Sequence, residues 1–240
     1  MKHGIDVSYA QGDIEWAKVA ADNRVDFAMI RATATYPHNN KGGVDLKWER
    51  NIKEAVKTGL PLGVYHYSYA LTPEDAKKEA EHFLQTIKGY SFEYPIVFDF
   101  EDPSQNALSS REAAEICLTW LETVQAAGYY VMLYSMAGWF THKLTDKRLK
   151  NYDRWVAHVN VPEPAVQGGM WQYTWTGRVN GIDTLVDLNY AYKDYPSIIK
   201  ASGLNGFSKT AGNITDTTDY KALYLEAKEK LERIGVIVNG

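Results

Sequence analysis

The feature that most constrains this chain is residues 95–102, Pro-Ile-Val-Phe-Asp-Phe-Glu-Asp, an apolar run that ends in three carboxylates. Such a run predicts a buried strand whose far end meets polar surroundings. Because side chains alternate along a strand, Asp99 and Glu101 point to the same side, with Cα atoms roughly 6–7 Å apart at ~3.3 Å per residue. Asp102 is expected to leave that face.

Two carboxyl groups on one face suit glycoside hydrolysis, in which one is kept protonated to protonate the leaving oxygen and the other is kept ionised. Mutual repulsion helps to separate their pKa values. The same Asp-x-Glu pattern also fits a pair of metal ligands, or a strand end that exposes its acids to solvent. A spacing of roughly 6–7 Å lies between the retaining range of about 5–5.5 Å and the inverting range of about 6.5–9.5 Å, so it does not decide the stereochemistry.

Seven further segments have the pattern of strands, and the fold prediction rests on their order. The eight predicted strands are 4–8, 27–34, 61–70, 95–102, 129–135, 154–159, 170–175 and 184–190. The sequence predicts an α/β fold: an irregular TIM-like (β/α) barrel of about five β/α units followed by three strands with few helices. Residues 1–203 form the predicted barrel domain, and residues 204–240 a polar linker and a short amphipathic C-terminal helix.

Local signals place the starts of several predicted helices. Asp13 or Gly12 is expected to cap the first helix. Thr72 followed by Pro73, and the capping box of residues 109–112, indicate two later helix starts.

In barrels of this kind, the chemistry lies at the carboxyl ends of the strands. Asp6 ends the first predicted strand, and Asp99 and Glu101 end the fourth. Asp187 lies within the last strand between two apolar residues, where an unpaired buried charge is costly. Each acid alone is more often a helix cap or a salt-bridge partner, but together they predict four carboxylates on one face of the barrel.

Composition and charge exclude several classes of function. The net charge is −4, the pI is about 5.9 and no basic run occurs, so no nucleic-acid partner is expected. No apolar stretch has the length of a membrane span or a signal peptide, which predicts synthesis in the cytoplasm without membrane insertion. The single cysteine, Cys117, excludes an internal disulfide and a cysteine-based zinc site, and its apolar neighbours predict a buried thiol.

Six ordered segments resemble the successive signatures of glycoside hydrolase family 25, the muramidases (lysozymes) common among phage endolysins and bacterial autolysins. The segments are Gly4-Ile-Asp-Val-Ser8, Phe27-Ala-Met-Ile-Arg-Ala-Thr33, Gly63-Val-Tyr-His66, Pro95-Ile-Val-Phe-Asp-Phe-Glu101, Trp171-Gln-Tyr173 and Val186-Asp-Leu-Asn189. Together they extend over about residues 3–200. Six matches in order are far more specific than any single one.

The resemblance implies cleavage of the β-1,4 bond between N-acetylmuramic acid and N-acetylglucosamine in peptidoglycan, with no metal and no cofactor. It makes Glu101 the general acid that protonates the leaving oxygen, and Asp99 the group that orients the acetamido group of the muramic sugar. The carbonyl oxygen of that group acts as an internal nucleophile, and we expect retention of configuration for this reason. Asp6 and Asp187 are expected to line the same pocket and to maintain its protonation states.

Aromatic residues near strand ends are candidates for stacking on sugar faces. They are Tyr65, Tyr67, Tyr134, Trp155, Trp171 and Tyr173. His66 fits either a polar subsite contact or a hydrogen-bonded core histidine. Many members of the family continue Arg-Ala-Thr with an acid and a glycine, whereas this chain has Ala34 and Thr35, so one sugar contact is expected to be missing or altered.

The resemblance also favours a phage endolysin, made in the host cytoplasm and reaching the wall through a separate holin-type pore. The apolar stripe of the predicted C-terminal helix suggests a homodimer, packing on the barrel, or the stub of a linker to a wall-binding domain. Two other functions stay open: a chitinase-like hydrolase, and a catalytically silent module that binds wall glycan. The four acids argue against the silent module, and the other matched segments argue against the chitinase.

Overall fold

A computed structural model describes residues 1–34 and 43–209 and has a closed barrel of eight strands in chain order. The strands are β1 (Lys2–Val7), β2 (Phe27–Ala34), β3 (Leu62–Tyr67), β4 (Ile96–Asp99), β5 (Val131–Met136), β6 (Asp153–Ala157), β7 (Met170–Gly177) and β8 (Val186–Ala191). The α-helices in the described ranges are α1 (Trp16–Ala21), α2 (Trp48–Thr58), α3 (Pro73–Ile87), α4 (Ser110–Ala126), α5 (Ala137–His142) and α6 (Tyr195–Ser202). All eight predicted strands are present, and α1 to α5 alternate with β1 to β6, as predicted.

The last strand reverses direction relative to the rest of the barrel. Neighbouring strands from β1 to β7 are parallel, whereas β8 runs antiparallel to both β7 and β1. The strand pattern does not predict this reversal, which is possible because a short loop over residues 178–185 joins β7 to β8 as a hairpin. As a result Asp187, near the start of β8, pairs with Asp6, near the end of β1. In a parallel β8, Asp187 would lie near the opposite end of the barrel.

The helix signals are confirmed at two starts and wrong at one. The Thr72 hydroxyl caps α3, and the capping box of residues 109–112 starts α4. α1 begins after Glu15, which makes no capping hydrogen bond, rather than after the residues predicted to cap it. Asp13 instead pairs with Lys47 at 2.7 Å, so its carboxylate is engaged away from α1.

Large side chains fill the interior of the barrel near the amino ends of the strands. The Phe27 and Tyr94 rings stack with their centroids 4.1 Å apart. A Cβ at position 4 would lie 2.3 Å from the Phe27 ring, so Gly4 is required for this packing. Outside the strands, the helices bury a second apolar layer, in which the Cys117 thiol of α4 is fully buried, as predicted.

The chain beyond α6 is described to residue 209. Asn205 is fully buried and donates to the backbone carbonyls of Phe92 and Tyr94, so the chain stays packed on the barrel beyond residue 203. The predicted C-terminal helix and its dimer contact fall in residues 210–240, outside the described residues. Within the described ranges, every helix is too short or too polar to cross a membrane.

Candidate active site

A pocket of about 210 Å³ opens at the carboxyl end of the barrel, where the parallel strands end and β8 begins. It is lined by Asp6, Ser8, Ala10, Gln11, Arg31, Tyr65, Tyr67, Asp99, Glu101, Tyr134, Trp155, Gln172 and Asp187. The four predicted acids and four of the six predicted aromatic residues therefore share one pocket. Their roles in binding and catalysis stay predictions.

The strand that supplies Asp99 is shorter than predicted. β4 ends at Asp99, and Glu101 lies two residues beyond it. The chain turns there because Asp102 caps a 3₁₀ helix over Pro103–Ala107, and Gln105 completes the capping box. Asp102 thus leaves the pocket, as predicted, while Asp99 and Glu101 both line it.

Asp99 is only 5% exposed, so it is not a strand end open to solvent. Its Oδ1 atom is buried and has no hydrogen-bond partner among the described residues. Burial, followed by the charge of Glu101, raises the pKa of Asp99 well above its usual value, and Arg31 opposes this shift. A buried carboxyl oxygen without a donor is costly. The Oδ1 atom is therefore suited to accept a hydrogen bond from a bound molecule.

Glu101 is balanced between its acid and base forms near neutral pH. Burial, followed by the charge of Asp6, raises the pKa of Glu101 to about 7, and the neighbouring Tyr134 hydroxyl opposes the shift. An ordinary glutamate, with a pKa of about 4.5, is almost fully ionised at pH 7. Glu101 can therefore deliver a proton near neutrality and remain behind as an anion.

Asp6 and Asp187 form a coupled pair across the ladder between β1 and β8. Burial, followed by the charge of Asp6 and a hydrogen bond with it, raises the pKa of Asp187 to about 8. Burial also raises the pKa of Asp6. Hydrogen bonds from Asn189, Gln172 and Asp187 oppose that rise. With a pKa of about 8, Asp187 holds a proton at neutral pH, whereas the two amide N–H groups that donate to Asp6 Oδ2 favour the anionic form of Asp6.

Gln172 on β7 uses all of its hydrogen-bonding capacity inside this cluster. Its Nε2 donates to Asp6 Oδ2 at 3.0 Å and to Asp187 Oδ2 at 3.2 Å. Its Oε1 accepts from the Tyr134 hydroxyl at 2.8 Å and from the Trp175 indole N–H at 2.9 Å. These contacts fix the orientation of the amide, because the reverse orientation would turn its carbonyl oxygen toward two carboxyl groups.

Arg31 supplies positive charge to the pocket. Its Nε donates to Asp45 Oδ2 at 2.8 Å, and the Asp45 side chain is fully buried. The same Asp45 oxygen accepts from the backbone N–H of Tyr9, whose ring lies 5.0 Å from the guanidinium carbon. Asp45 and Tyr9 thus fix Arg31 at the pocket wall, where its charge opposes the rise in the pKa of Asp99.

Four of the predicted aromatic residues form the floor and wall of the pocket. Tyr65, Tyr134 and Trp155 are 8%, 6% and 2% exposed, so little of their ring surface is accessible to a sugar. The Trp155 ring meets both tyrosines edge to face, at 6.2 Å from Tyr65 and 4.8 Å from Tyr134. Tyr67 is half-buried, and its hydroxyl donates to Asp102 at 3.1 Å.

Trp171 and Tyr173 are the two predicted aromatic residues that do not line the pocket. Both flank Gln172 on β7, and because side chains alternate along a strand, they point to the opposite face of the sheet. There they pack against Tyr190 of β8, with ring centroids 5.6 Å and 4.3 Å away. The two residues were predicted to stack on sugars because they lie near a strand end, without regard to the face of the sheet to which each side chain points.

Two residues that the sequence left open can be placed. His66 is fully buried on β3, with Nδ1 2.6 Å from the Thr33 hydroxyl and Nε2 3.0 Å from Glu79, so it is a core histidine outside the pocket lining. Ala34 is buried and pairs with Tyr67 in the ladder between β2 and β3. Since Tyr67 lines the pocket, the departure from the family pattern at Ala34 lies beside the pocket wall.

The site residues that the sequence analysis missed are polar side chains in otherwise apolar strands. They include Arg31 of β2, Gln172 of β7 and the fully buried Asn189 of β8, which donates to Asp6 at 2.8 Å. The signal for Asn189 was its parity, because it lies two residues from Asp187 and so shares its face. A buried polar side chain needs a partner, and here the acids are the partners.

Paired carboxyl groups in a pocket at the carboxyl end of the barrel strands are the arrangement that glycoside hydrolases use. The sequence matches the glycosyl hydrolases family 25 over residues 5–182. The chain belongs to this family and is a lysozyme-type glycoside hydrolase.

Relatives of known sequence and structure share most of the barrel. The uncharacterized protein YegX of Escherichia coli strain K12 is 35% identical over 196 residues, which cover 78% of this chain and 68% of YegX. Lysozyme M1 of Streptomyces globisporus is 29% identical over 202 residues, which cover 78% of this chain and 66% of that protein. The crystal structure of the bacterial lysozyme from Streptomyces coelicolor has a TM-score of 0.70 and 27% identity, covering 88% of this chain and 98% of that chain.

Proposed function

We propose that this protein hydrolyses the β-1,4 bond between N-acetylmuramic acid and N-acetylglucosamine in bacterial peptidoglycan, with Glu101 as the general acid. The observation that carries the proposal is a carboxyl group with a pKa of about 7 in the same pocket as a second, more deeply buried acid. Membership of family 25 and the presence of lysozymes among the relatives support the substrate class.

In the proposed reaction, Glu101 gives its proton to the leaving oxygen as the glycosidic bond breaks. The carbonyl oxygen of the acetamido group attacks the anomeric carbon. Water then opens the ring intermediate with retention of configuration and gives a proton back to the Glu101 carboxylate. Asp99 accepts the acetamido N–H at its Oδ1 atom, which has no partner among the described residues. That hydrogen bond favours ionised Asp99, whose charge stabilises the positive charge that develops on the acetamido group.

Asp6 and Asp187 control the protonation of the acid in this proposal. The negative charge of Asp6 raises the pKa of Glu101, which keeps the acid protonated near neutrality. Asp187, Gln172 and Asn189 all donate to Asp6 and so stabilise that charge. Neither Asp6 nor Asp187 needs to form a bond to the substrate.

The test measures the reducing ends released from purified Gram-positive cell walls, together with the loss of turbidity. We expect wild type to release muramic-acid reducing ends, and Glu101→Gln to be slower by roughly 10²–10⁴, because glutamine cannot supply the proton. Glu122→Gln is a matched control, since Glu122 is exposed on α4.

Each competing function predicts a different result in this assay. Walls that bind wild type without release of reducing ends would support a silent glycan-binding module. Faster turnover of chitin than of cell walls would support a chitinase-like hydrolase.

We further propose that the enzyme acts as a phage endolysin and lyses the host after passing through a holin-type pore. The reaction supports a lytic role, because cutting glycan strands weakens the wall that resists turgor. The test is expression in the cytoplasm of a bacterial host, with and without a pore-forming membrane protein. Lysis is expected only when both are present, and lysis by the enzyme alone would contradict the pore-dependent route.

A further inference from the structure

Two exposed aromatic rings lie at the margin of the pocket. Trp175 is 45% exposed and Tyr9 is 50% exposed. Neither ring is part of the pocket lining, but each contacts a residue that is. The Trp175 indole N–H donates to Gln172, and the Tyr9 ring lies over the guanidinium of Arg31.

These contacts restrain both rings before any ligand binds. The amide of Gln172 is already fixed by its other hydrogen bonds, so it is a firm anchor for Trp175. On the other side, Asp45 bonds both to the Arg31 side chain and to the backbone N–H of Tyr9, at 2.8 Å and 3.1 Å. A ring that is restrained in this way loses little side-chain entropy on binding.

Within the described residues, the aromatic side chains that line the pocket expose less ring surface, because Tyr65, Tyr134 and Trp155 are nearly fully buried and Tyr67 is half-buried. The two exposed rings also lie on different parts of the rim. Tyr9 follows β1 and contacts Arg31 of β2, whereas Trp175 is on β7, and β8 separates β7 from β1. A glycan strand that is cleaved in the pocket extends beyond it on both sides, and its sugars have apolar faces that pack well on aromatic rings.

We propose that Trp175 and Tyr9 are two sugar-binding platforms at the rim of the catalytic pocket, each packing against one N-acetylated pyranose ring of a glycan strand. This inference rests on the proposed function and extends substrate binding to sugars beyond the cleaved bond. A stacking contact that is equally strong in the bound substrate and in the transition state contributes uniform binding, so its removal raises KM and leaves kcat unchanged.

The experiment compares Trp175→Ala and Tyr9→Ala with a matched control, Tyr192→Ala. Tyr192 is 46% exposed but follows the end of β8, at the opposite end of the barrel from the pocket. The substrate is long soluble glycan strands from Gram-positive walls, freed of peptide. We expect each platform variant to raise KM about tenfold with kcat nearly unchanged, and the control to match wild type.

Variants that retain a ring separate stacking from loss of anchoring and from misfolding. Trp175→Phe keeps an aromatic face but loses the hydrogen bond to Gln172, and Tyr9→Phe keeps the ring over Arg31. Both are expected to bind glycan nearly as well as wild type. Calorimetric titration in the Glu101→Gln background measures Kd without cleavage, and Kd should rise by the same factor as KM in the alanine variants.

Several results would contradict the proposal that Trp175 and Tyr9 bind sugar rings. If the alanine variants match Tyr192→Ala in both KM and Kd, the rings do not bind sugar. If only one ring affects binding, or if kcat falls while KM is unchanged, the proposal of two platforms is wrong. A wild-type protein that cleaves no glycan would instead contradict the proposed function. The Kd measurements would still show whether the two rings bind glycan.

Discussion

Two buried acidic sites at opposite ends of the barrel differ in how their oxygens are paired. Asp153, at the amino end of β6, accepts from Lys193, from two tyrosine hydroxyls and from two backbone N–H groups. Asp99, at the carboxyl end of β4, has an oxygen with no donor among the described residues. Burial acts to raise the pKa of Asp153, but Lys193 and Tyr195 lower it overall, whereas the pKa of Asp99 is raised well above its usual value.

The difference distinguishes an acid that stabilises the fold from acids that are available for chemistry. A carboxylate with its lone pairs occupied contributes to folding and has little capacity left for a ligand. An acid without donors lowers the stability of the fold, and such groups concentrate at functional sites. A substrate bound in the pocket can therefore supply the hydrogen bond that Asp99 lacks, whereas Asp153 at the amino end of the barrel already has its donors.

The largest expected effect tests the comparison through activity. Asp99→Asn should lower kcat for glycan hydrolysis by roughly 10²–10³, because an amide cannot supply the negative charge that stabilises the acetamido cation. The free energy of unfolding should not decrease, since the substitution removes a buried acid that lacks a donor. Reducing-end release and urea denaturation measure the two quantities. Near-normal activity, or a clear loss of stability, would contradict the distinction between the two sites.

Asp153→Asn should give the opposite pattern. Loss of the carboxylate breaks the ion pair with Lys193 and leaves buried donors poorly matched, so the free energy of unfolding should fall by about 2–3 kcal/mol. The value of kcat per folded molecule should equal that of wild type, because the site lies at the other end of the barrel. Lys193→Gln removes only the half-exposed partner and should cost less. A folded Asp153→Asn protein with low kcat would break the comparison.

Local signals in the sequence account for the parts of the fold that were predicted. Apolar periodicity predicts the eight strands, and hydroxyl caps predict the starts of α3 and α4, because both depend on neighbours in the chain. The cluster of acids followed from a rule about strand ends. Asp187 shows the limit of that rule: it faces Asp6 only because β8 is antiparallel, and the direction of β8 depends on how the whole barrel closes.

Side-chain parity and register account for what was missed at the site. Trp171 and Tyr173 were chosen for their ring type, while Gln172 between them is the residue that points inward. Trp175 differs in parity from Gln172 and still reaches its amide, because the register of β7 against β8 shifts on both sides of Thr174. No local feature of the sequence indicates this irregularity.

The third prediction uses pH to measure how much the buried Glu101 carboxylate lowers the free energy of unfolding. The pKa of Glu101 is raised from 4.5 to about 7 in the folded protein. Between these values the folded state binds more protons than the unfolded state, so the contribution of Glu101 to stability is fully present below about pH 4.5 and is lost as the pH rises through about 7. From pH 5 to pH 8, wild type should lose about 2 kcal/mol more than Glu101→Gln. Urea denaturation of both proteins at the two pH values measures the difference, and equal losses would contradict the assignment.

The smallest effect concerns Gln172, which bonds to Asp6 and Asp187 on one side and to the Tyr134 hydroxyl on the other. In Gln172→Leu, Asp6 loses a hydrogen-bond donor that favours its ionised form. Asp6 then carries less negative charge, so it raises the pKa of Glu101 less. The Tyr134 hydroxyl loses its acceptor in Gln172 and is free to donate to Glu101, which also lowers that pKa. Both changes favour ionised Glu101 and act in the same direction.

The alkaline limit of kcat should therefore move to lower pH in Gln172→Leu, and kcat at pH 7 should fall about tenfold. Gln125→Leu on the exposed face of α4 is the control for the same change of side chain. A pH profile of kcat separates this role from simple loss of packing, which would lower the melting temperature and leave the alkaline limit in place. If the alkaline limit of kcat does not move but the protein is less stable, Gln172 supports the barrel and does not set the pKa of Glu101. The polar contacts at the carboxyl end of the barrel would then be mainly structural, like those of Asp153.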